Sequence, residues 1–224
     1  IVEIKAAHRP DGLEEGVEQI RRYHRETPEM VTSTQIFDVP TLLEWYYGVT
    51  WNMDRKNLFN WKDEQKGNYE TKVKEFFRID RILLFIRDYI LFIKKDDELK
   101  KFILRQHQTR AVEKVVDRAL DVKKRTGLIW HTQGSGKTFT MITVADKLLR
   151  HGKLEKPLVV MLVDRNELKT QLFQNLASCG FDNPHIARSK VDLKKTLSSN
   201  FRGLLVTMIH KFDKADADLC TREN

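Results

Sequence analysis

The order of apolar and polar residues predicts a mixed start to the chain. Residues 1–5 have the composition of a short strand, and the apolar residues that follow Asp11 recur at helical spacing. That helix is expected to end near Thr27 and Pro28. Residues 30–39, rich in β-branched residues and phenylalanine, predict a second strand. The start of the chain therefore predicts an assembly of strands and helices.

The middle of the chain predicts a connector followed by helices. Residues 51–67 are aromatic and polar without a clear period, which is typical of a segment lying on a neighbouring surface. Residues 69–104 predict mostly helical structure. Residues 106–122 predict the clearest amphipathic helix, because Ala111, Val112, Val115, Val116, Ala119 and Leu120 form one apolar stripe.

Beyond Gly127, short apolar runs alternate with helical stretches. Residues 127–130, 157–163 and 203–208 predict strands, and residues 137–150 and 166–177 predict the helices between them. Strands that are apolar throughout and are separated by helices are typical of a parallel sheet covered on both faces. The predicted fold class is therefore α/β.

Composition favours a folded protein of a reducing compartment. The hydrophobic content of 41% is ample for a core. The longest apolar stretch, residues 82–93, is interrupted by Arg87 and Asp88 and is shorter than the roughly 20 residues of a membrane-spanning helix. The two cysteines have no Cys-x-x-Cys spacing. We therefore expect a cytoplasmic protein without a membrane anchor.

The charge balance suggests a polyanionic partner. The net charge is +8 and the pI is near 9.4. Residues 94–125 alone carry 11 lysines or arginines against 6 aspartates or glutamates. Basic side chains gain affinity for nucleic acid by displacing counterions. A solvated helix surface explains the same charges equally well.

The strongest chemical motif is a phosphate-binding loop (P-loop) between a predicted strand and a predicted helix, with the sequence His131-Thr132-Gln133-Gly134-Ser135-Gly136-Lys137-Thr138. Glycines let successive backbone amides point inward, and the helix adds its positive N-terminal end. Lys137 is expected to reach the β and γ phosphates of ATP, and the Thr138 hydroxyl to bind Mg²⁺. The general pattern has glycine or alanine at the position of His131. A glycine-rich turn without a ligand is the alternative.

Four further positions are candidates for ligand contacts. Arg105 and Gln108 precede the P-loop at the start of the amphipathic helix, where the Gln108 amide can pair with the edge of adenine. Arg165 follows one predicted strand and Thr207 lies near the end of another, where parallel sheets gather ligands. Both are candidates for contacts with DNA. For each position, an ordinary surface or loop residue is the alternative.

Together these motifs resemble the first motor domain of superfamily 2 helicases and translocases. Four stretches are closer still to one family: LRQHQTRAV from residue 104, WHTQGSGKT from 130, LVDRNEL from 162 and MIHKF from 208. They look like the restriction (R) subunit of type I restriction-modification enzymes. The resemblance covers essentially the whole chain. It implies the end of an α/β nuclease domain of the PD-(D/E)xK type at residues 1–50, a helical connector at 51–104 and an incomplete RecA-like P-loop motor lobe at 105–224.

The nuclease domain of that family directs attention to the start of the chain. Glu3 and Lys5 share one side of a predicted strand, where Glu3 can hold Mg²⁺ and Lys5 can orient or deprotonate the attacking water. Gln19 and Tyr23 share one helix face and match the Gln-x-x-x-Tyr element associated with DNA contact and nuclease function in the family. A surface ion pair and an ordinary helix surface are the alternatives.

The resemblance implies a function for an intact protein. ATP hydrolysis would drive translocation of double-stranded DNA, the nuclease would cut it, and methylation (M) and specificity (S) subunits would supply site recognition. The sequence contains neither an acidic nuclease ligand ahead of Glu3 nor an Asp-Glu element after Phe212. We therefore expect this piece alone neither to cleave DNA nor to hydrolyse ATP. A superfamily 2 helicase or remodeller without nuclease activity, and a nucleotide-binding or docking module, are the alternatives.

Histidines and tryptophans predict no separate site. The seven histidines have no paired spacing typical of zinc. Core and interdomain packing, rather than base stacking, is expected of Trp45, Trp51, Trp61 and Trp130.

Overall fold

The computed structural model describes residues 1–5, 11–41, 45–52, 54–61, 69–95, 97–124, 126–164, 166–181 and 184–212. The chain divides into two compact units, Ile1–Thr109 and Arg110–Asn224. Antiparallel strand pairs belong to the first unit and a parallel sheet belongs to the second. The predicted α/β class is confirmed.

Helices precede and separate the two strand pairs of the first unit. Its elements are α1 (Gly12–Glu26), α2 (Pro28–Ser33), β1 (Ile36–Pro40), β2 (Trp45–Val49), α3 (Tyr69–Phe76), α4 (Ile79–Leu84), a π-helical turn (Phe85–Tyr89), β3 (Ile90–Lys95) and β4 (Glu98–Ile103). Ile20 of α1 packs with Phe37 and Val39 of β1 in a buried cluster. The helix approaches the strand closely at Gly16, where a Cβ atom would lie 2.3 Å from Cγ1 of Val39. A glycine is therefore required at this crossing.

An aromatic core holds the rest of the first unit. The ring centroids of Tyr47 and Phe76 are 4.4 Å apart, and those of Trp45 and Phe76 are 4.8 Å apart. Trp61 joins the same cluster, with its ring under the guanidinium of Arg81. The packing predicted for Trp45 and Trp61 is confirmed, since both are buried.

Two strands predicted near the start of the chain differ from the structure. Within residues 1–5, only Val2 forms an isolated parallel bridge, to Asp38. Residues 28–33 form α2, and β1 begins only at Ile36. Pro28 explains the difference, because proline is favourable in the first helical turn. Its fixed φ angle suits a helix, and the N–H group that it lacks would have no partner within the helix at that position.

The mostly helical structure predicted for residues 69–104 is wrong in its second half. There β3 and β4 form an antiparallel hairpin that pairs Ile90 with Ile103. β-branched and aromatic side chains fit such a pleated ladder. Asp97 lies at the hairpin turn with a φ angle of 60°, a conformation that aspartate tolerates better than most residues.

A three-stranded parallel sheet organises the second unit. The helix α5 (Gln106–Leu120) enters this unit, and the other elements are α6 (Lys137–Leu149), β5 (Leu158–Val163), α7 (Asn166–Ser178), β6 (His185–Ile186), α8 (Lys190–Ser198) and β7 (Gly203–Met208). The strand order is β5-β7-β6. Val206 packs towards α6 and α7, whereas its neighbour Leu205 packs towards α8. The central strand is therefore covered on both faces, as the sequence predicts.

The strand predicted at residues 127–130 is absent from the described sheet. Leu128 is 83% exposed and Trp130 is 86% exposed, so the packing predicted for Trp130 is also wrong. An apolar run becomes a strand only when a neighbouring strand satisfies its backbone hydrogen bonds. No strand of the described residues pairs with this run.

Helix length limits what the described helices can span. The helices α1 and α5 have 15 residues each. Within the described ranges, no helix combines the length and the apolar character needed to cross a membrane.

Candidate functional site

The P-loop turns sharply at two glycines. Gly134 has a φ angle of 75° and Gly136 has one of 81°, and both lie in the left-handed region. That region costs an ordinary L-residue roughly 1–2 kcal/mol. A Cβ atom on Gly134 would have no neighbour within 4 Å, so the requirement there is for backbone conformation rather than for space. The same glycines led the sequence analysis to the loop.

Hydrogen bonds within the loop fix its lysine. The Ser135 hydroxyl donates to the carbonyl oxygen of Thr132 at 2.7 Å. Nζ of Lys137 donates to the same carbonyl at 2.8 Å and to that of His131 at 3.3 Å. These two partners could not be predicted from the sequence, because every residue type has a backbone oxygen. The ammonium group therefore lies over the loop while its side chain remains exposed.

The helix that follows the loop has a start that is suited to binding an anion. α6 begins at Lys137 with Gly136 as its N-cap, so the N-cap residue brings no side chain to the first-turn amides. Such a helix start attracts phosphate through its N–H groups and its dipole. The hydroxyls of Thr140 and Thr143 donate to helix carbonyls. That of Thr138 makes no such bond among the described residues, so it fits the Mg²⁺ ligand predicted from the sequence.

Two cavities lined by described residues of the second unit border Lys137. One, of about 370 Å³, opens beside Lys137 and Thr138 and reaches Asp164 at the end of β5. The other, of about 430 Å³, is mainly apolar and lies along α6 and β5. The loop lysine therefore borders open space on two sides.

The two predicted DNA contacts have different outcomes. Arg165 lies outside the described residues. Thr207 lies on the central strand β7 and is 0% exposed. Its hydroxyl has no hydrogen-bond partner among the described residues. The Thr207 side chain is therefore not at the surface in this structure, because central strands are covered on both faces.

Arg105 and Gln108 lie in the first unit, at the start of α5. Gln108 is buried, and its Oε1 accepts a hydrogen bond from the backbone N–H of Arg105 at 2.9 Å. This contact caps the helix in the manner of a capping box. The Arg105 guanidinium lies 4.8 Å from the ring centroid of Phe59. The Gln108 carbonyl therefore has a structural role in addition to the predicted contact with adenine.

Three of the four predicted nuclease residues come together. Nζ of Lys5 lies 2.8 Å from Oε1 of Glu3, and the Tyr23 hydroxyl donates to Oε2 of Glu3 at 3.1 Å. The shared side predicted for Glu3 and Lys5 is confirmed. Gln19 is not brought to the cluster, since its Oε1 accepts a hydrogen bond from Arg22. Burial of both charged side chains is substantial, with 14% of Glu3 and 19% of Lys5 exposed.

The cluster provides one carboxylate for a metal ion. Mg²⁺ is bound through one or two carboxylates and several waters, so Glu3 fits as one ligand. No group of three or more metal-binding side chains occurs within the described ranges.

Comparisons with known proteins agree with the motifs. The model of the SWI2/SNF2 ATPase family matches residues 107–224. The putative type I restriction enzyme MjaVIIIP endonuclease subunit of Methanocaldococcus jannaschii is 31% identical over 90% of this chain and 22% of its own length. The type I restriction enzyme HindI endonuclease subunit of Haemophilus influenzae is 36% identical over 58% of this chain and 13% of its own.

A third relative extends the similarity along nearly the whole chain. The type I restriction enzyme SsaAORF53P endonuclease subunit of Staphylococcus saprophyticus is 26% identical over 96% of this chain and 23% of its own length. The chain thus spans 13–23% of the length of these three curated relatives. The predicted resemblance to type I restriction endonuclease subunits is confirmed.

Proposed function

The chain belongs to the SWI2/SNF2 ATPase family through residues 107–224, and we propose that it forms the ATP-binding part of an R subunit that translocates and cleaves double-stranded DNA. One observation carries the proposal. Nζ of Lys137 lies 2.8 Å from the Thr132 carbonyl, beside the uncapped start of α6 and an open cavity. This arrangement supports binding of a triphosphate.

Nucleotide binding would use the loop as a set of hydrogen-bond donors. The backbone amides of Gln133, Gly134, Ser135 and Gly136 would surround the phosphates. Lys137 would exchange the carbonyls of its own loop for phosphate oxygens, which form stronger, charge-assisted hydrogen bonds. The Thr138 hydroxyl would ligate Mg²⁺, whose charge offsets that of the phosphates. Gln108 would contact the adenine, and Arg105 is proposed as a further nucleotide-binding residue.

DNA cleavage would use the cluster at the start of the chain. Glu3 would be one ligand of Mg²⁺, and Lys5 would orient or deprotonate the attacking water. Tyr23 holds one oxygen of Glu3 at 3.1 Å, so it would orient the carboxylate. Gln19, on the surface of the same helix, would contact DNA.

The same proposal extends to partners and place. Arg165 is proposed to contact the DNA backbone. Thr207 would contact DNA only in a conformation in which the residues that cover β7 move away from it. The net charge of +8 supports a DNA partner. The regions 1–50, 51–104 and 105–224 are proposed as nuclease end, connector and motor lobe. M and S subunits would supply recognition in the cytoplasm.

Equilibrium binding of a non-hydrolysable ATP analogue tests the P-loop assignment. We expect Lys137→Ala to weaken binding at least about tenfold, because charge-assisted hydrogen bonds are worth about 1.5–3 kcal/mol. Lys153→Ala, an exposed lysine beyond the end of α6, is the matched control and should bind as the unmodified chain does. Equal binding by Lys137→Ala would contradict the assignment.

One observation favours a second candidate function, a superfamily 2 DNA remodeller without nuclease activity. Both oxygens of Glu3 are engaged by Lys5 and Tyr23, and the described residues contain no group of three metal-binding side chains. Under this alternative, Glu3 and Lys5 form a structural ion pair. DNA cleavage by the intact protein distinguishes the two functions.

A further inference from the structure

Trp51, two residues after the end of β2, has an unusual backbone conformation. Its φ angle is 64°, which lies in the left-handed region. A bulky residue is a genuine outlier there, and such strain persists only where the surrounding structure imposes it. Strained positions cluster where geometry serves a function. The contacts that hold Trp51 therefore indicate what this conformation serves.

A histidine of α1 holds the backbone of Trp51. The Trp51 N–H group donates to Nε2 of His24 at 3.0 Å, and Nδ1 of His24 lies 2.8 Å from the carbonyl oxygen of Ile20. Because Nε2 accepts, Nδ1 must carry the ring proton and donate to Ile20. The ring therefore ties the last turn of α1 to Trp51. Tyr23, which holds Glu3, is the preceding residue of that turn.

A buried lysine of β4 holds the ring of Trp51. Nζ of Lys101 lies 3.8 Å from the Trp51 ring centroid. The same ammonium donates to Oγ1 of Thr50 at 2.8 Å and to the carbonyl oxygen of Thr34 at 3.1 Å. Lys101 is 0% exposed, and no carboxylate within the described ranges forms an ion pair with it. Burial lowers its pKa to about 8.

The left-handed conformation of Trp51 and the buried charge of Lys101 both destabilise the fold, and the two residues are in contact. A buried charge without a carboxylate is expensive, and so is a left-handed tryptophan. Glycine at 51 and an apolar residue at 101 would avoid both penalties. A positional role explains why they occur together, since Lys101 lies on the strand that runs through Leu104 into Arg105 and α5.

We propose that three residues position Tyr23 against Glu3 for DNA cleavage. They are His24, Trp51 and Lys101, here named the Trp51 clasp. Lys101 contributes from β4, the strand that leads to α5. The inference rests on the proposed function and deepens it. The three are positioning residues, because none of them touches Glu3 or Lys5 in the contacts described. Loosening the clasp would displace the end of α1 and with it the hydroxyl of Tyr23.

Lys101→Met in the intact protein tests the clasp, because methionine keeps an unbranched apolar stem and removes the charge. We expect the rate of DNA cleavage to fall about tenfold to a hundredfold, since a displacement near 1 Å can cost that much. ATP hydrolysis should stay unchanged. The midpoint of thermal unfolding should stay unchanged or rise, because removing a buried charge relieves its desolvation.

Lys100→Met is the matched control, an exposed lysine on the same strand that should leave cleavage unchanged. Unchanged cleavage by Lys101→Met would overturn the clasp. So would a loss of cleavage accompanied by a lower unfolding midpoint, which indicates a purely structural role. Absence of cleavage by the unmodified protein would instead remove the proposed nuclease function itself, so the two failures are distinguishable.

The tautomer of His24 provides a spectroscopic test that does not depend on activity. Nitrogen NMR shifts of the chain should show Nδ1 protonated and Nε2 unprotonated at neutral pH. Lys101→Met should shift His24 towards a mixture of tautomers as Trp51 loosens, whereas Lys100→Met should not. An unchanged His24 signal in Lys101→Met would contradict the link between the lysine and the helix.

Discussion

The ammonium group of Lys137 lies 2.8 Å from the carbonyl oxygen of Thr132, so the P-loop binds its own lysine through a backbone oxygen. This contact keeps the positive charge over the loop, and no carboxylate of the described residues forms an ion pair with it. A neutral carbonyl is a weaker partner than a phosphate oxygen. Under the proposed function, a triphosphate would replace this carbonyl without breaking a strong interaction.

Gly136→Ala should destabilise the chain and weaken nucleotide binding. The φ angle of Gly136 is 81°, and placing an L-residue there costs roughly 1–2 kcal/mol. We expect a lower midpoint of urea unfolding and weaker binding of an ATP analogue. Gly152→Ala is the control, because a Cβ atom there meets nothing within 4 Å and the residue has no left-handed φ angle. Equal effects of the two changes would contradict the role given to the turn at Gly136.

Tyr47→Phe should stabilise the first unit. The Tyr47 side chain is 0% exposed, and its hydroxyl has no hydrogen-bond partner among the described residues. Burial also raises the pKa of this phenol well above its ordinary value. Removing an unsatisfied hydroxyl while keeping the ring should raise the free energy of unfolding by about 1 kcal/mol. Chemical denaturation measures the change, and a decrease would show that the hydroxyl has a partner in solution.

The free energy of unfolding should rise between about pH 8 and pH 10.5 because of Lys101. Burial lowers the pKa of Lys101 to about 8 from an ordinary value of 10.5. Between these values the unfolded chain holds the lysine proton and the folded chain does not, so stability increases with pH. The Lys101 ammonium faces the Trp51 ring, the Thr50 hydroxyl and the Thr34 carbonyl.

Urea unfolding across this pH range measures the effect of Lys101. The difference between the unmodified chain and Lys101→Met isolates this lysine from the other groups that titrate there. We expect the free energy of unfolding of Lys101→Met to exceed that of the unmodified chain at the lower end of the range, and the difference to disappear towards pH 10.5. A pH-independent difference would show that the pKa of Lys101 is ordinary.

Lys5→Ala in the intact protein should abolish DNA cleavage while ATP turnover persists. Lys5 pairs with Glu3 at 2.8 Å, in a unit separate from the P-loop. Loss of the group that activates the attacking water should lower cleavage by about 10²-fold or more. Gel assays of DNA cleavage and phosphate release measure the two activities. Lys74→Ala is the control, since that exposed lysine pairs only with Glu70 among the described ion pairs. Persistent cleavage by Lys5→Ala would contradict the role given to Lys5, whereas absence of cleavage by the unmodified protein would favour the remodeller.

Local signals were sufficient where the structure depends on neighbouring residues in the sequence. Left-handed glycines at 134 and 136, the start of α6 at Lys137 and the stripe of α5 all follow from residue type and spacing. The hairpin β3–β4 was missed because apolar residues in a short run suit a helix or a strand equally well. Residues 90–103 form strands because the two segments pair with each other, and the residues of either segment alone do not determine this.

Contacts between distant residues decided the rest. The ion pair of Glu3 and Lys5 forms without the predicted strand, since residues 1–5 contain only an isolated bridge, and the hydroxyl of Tyr23 reaches Glu3 because α1 packs on β1. Thr207 looked like a surface contact in the sequence, and it is buried because β7 became the central strand. The sequence by itself determined the turn at Gly134 and Gly136 and the α/β class, since both arise from local backbone preferences and periodicity. Only the tertiary structure decided which side chains meet and which are covered, because burial depends on packing partners far away along the chain.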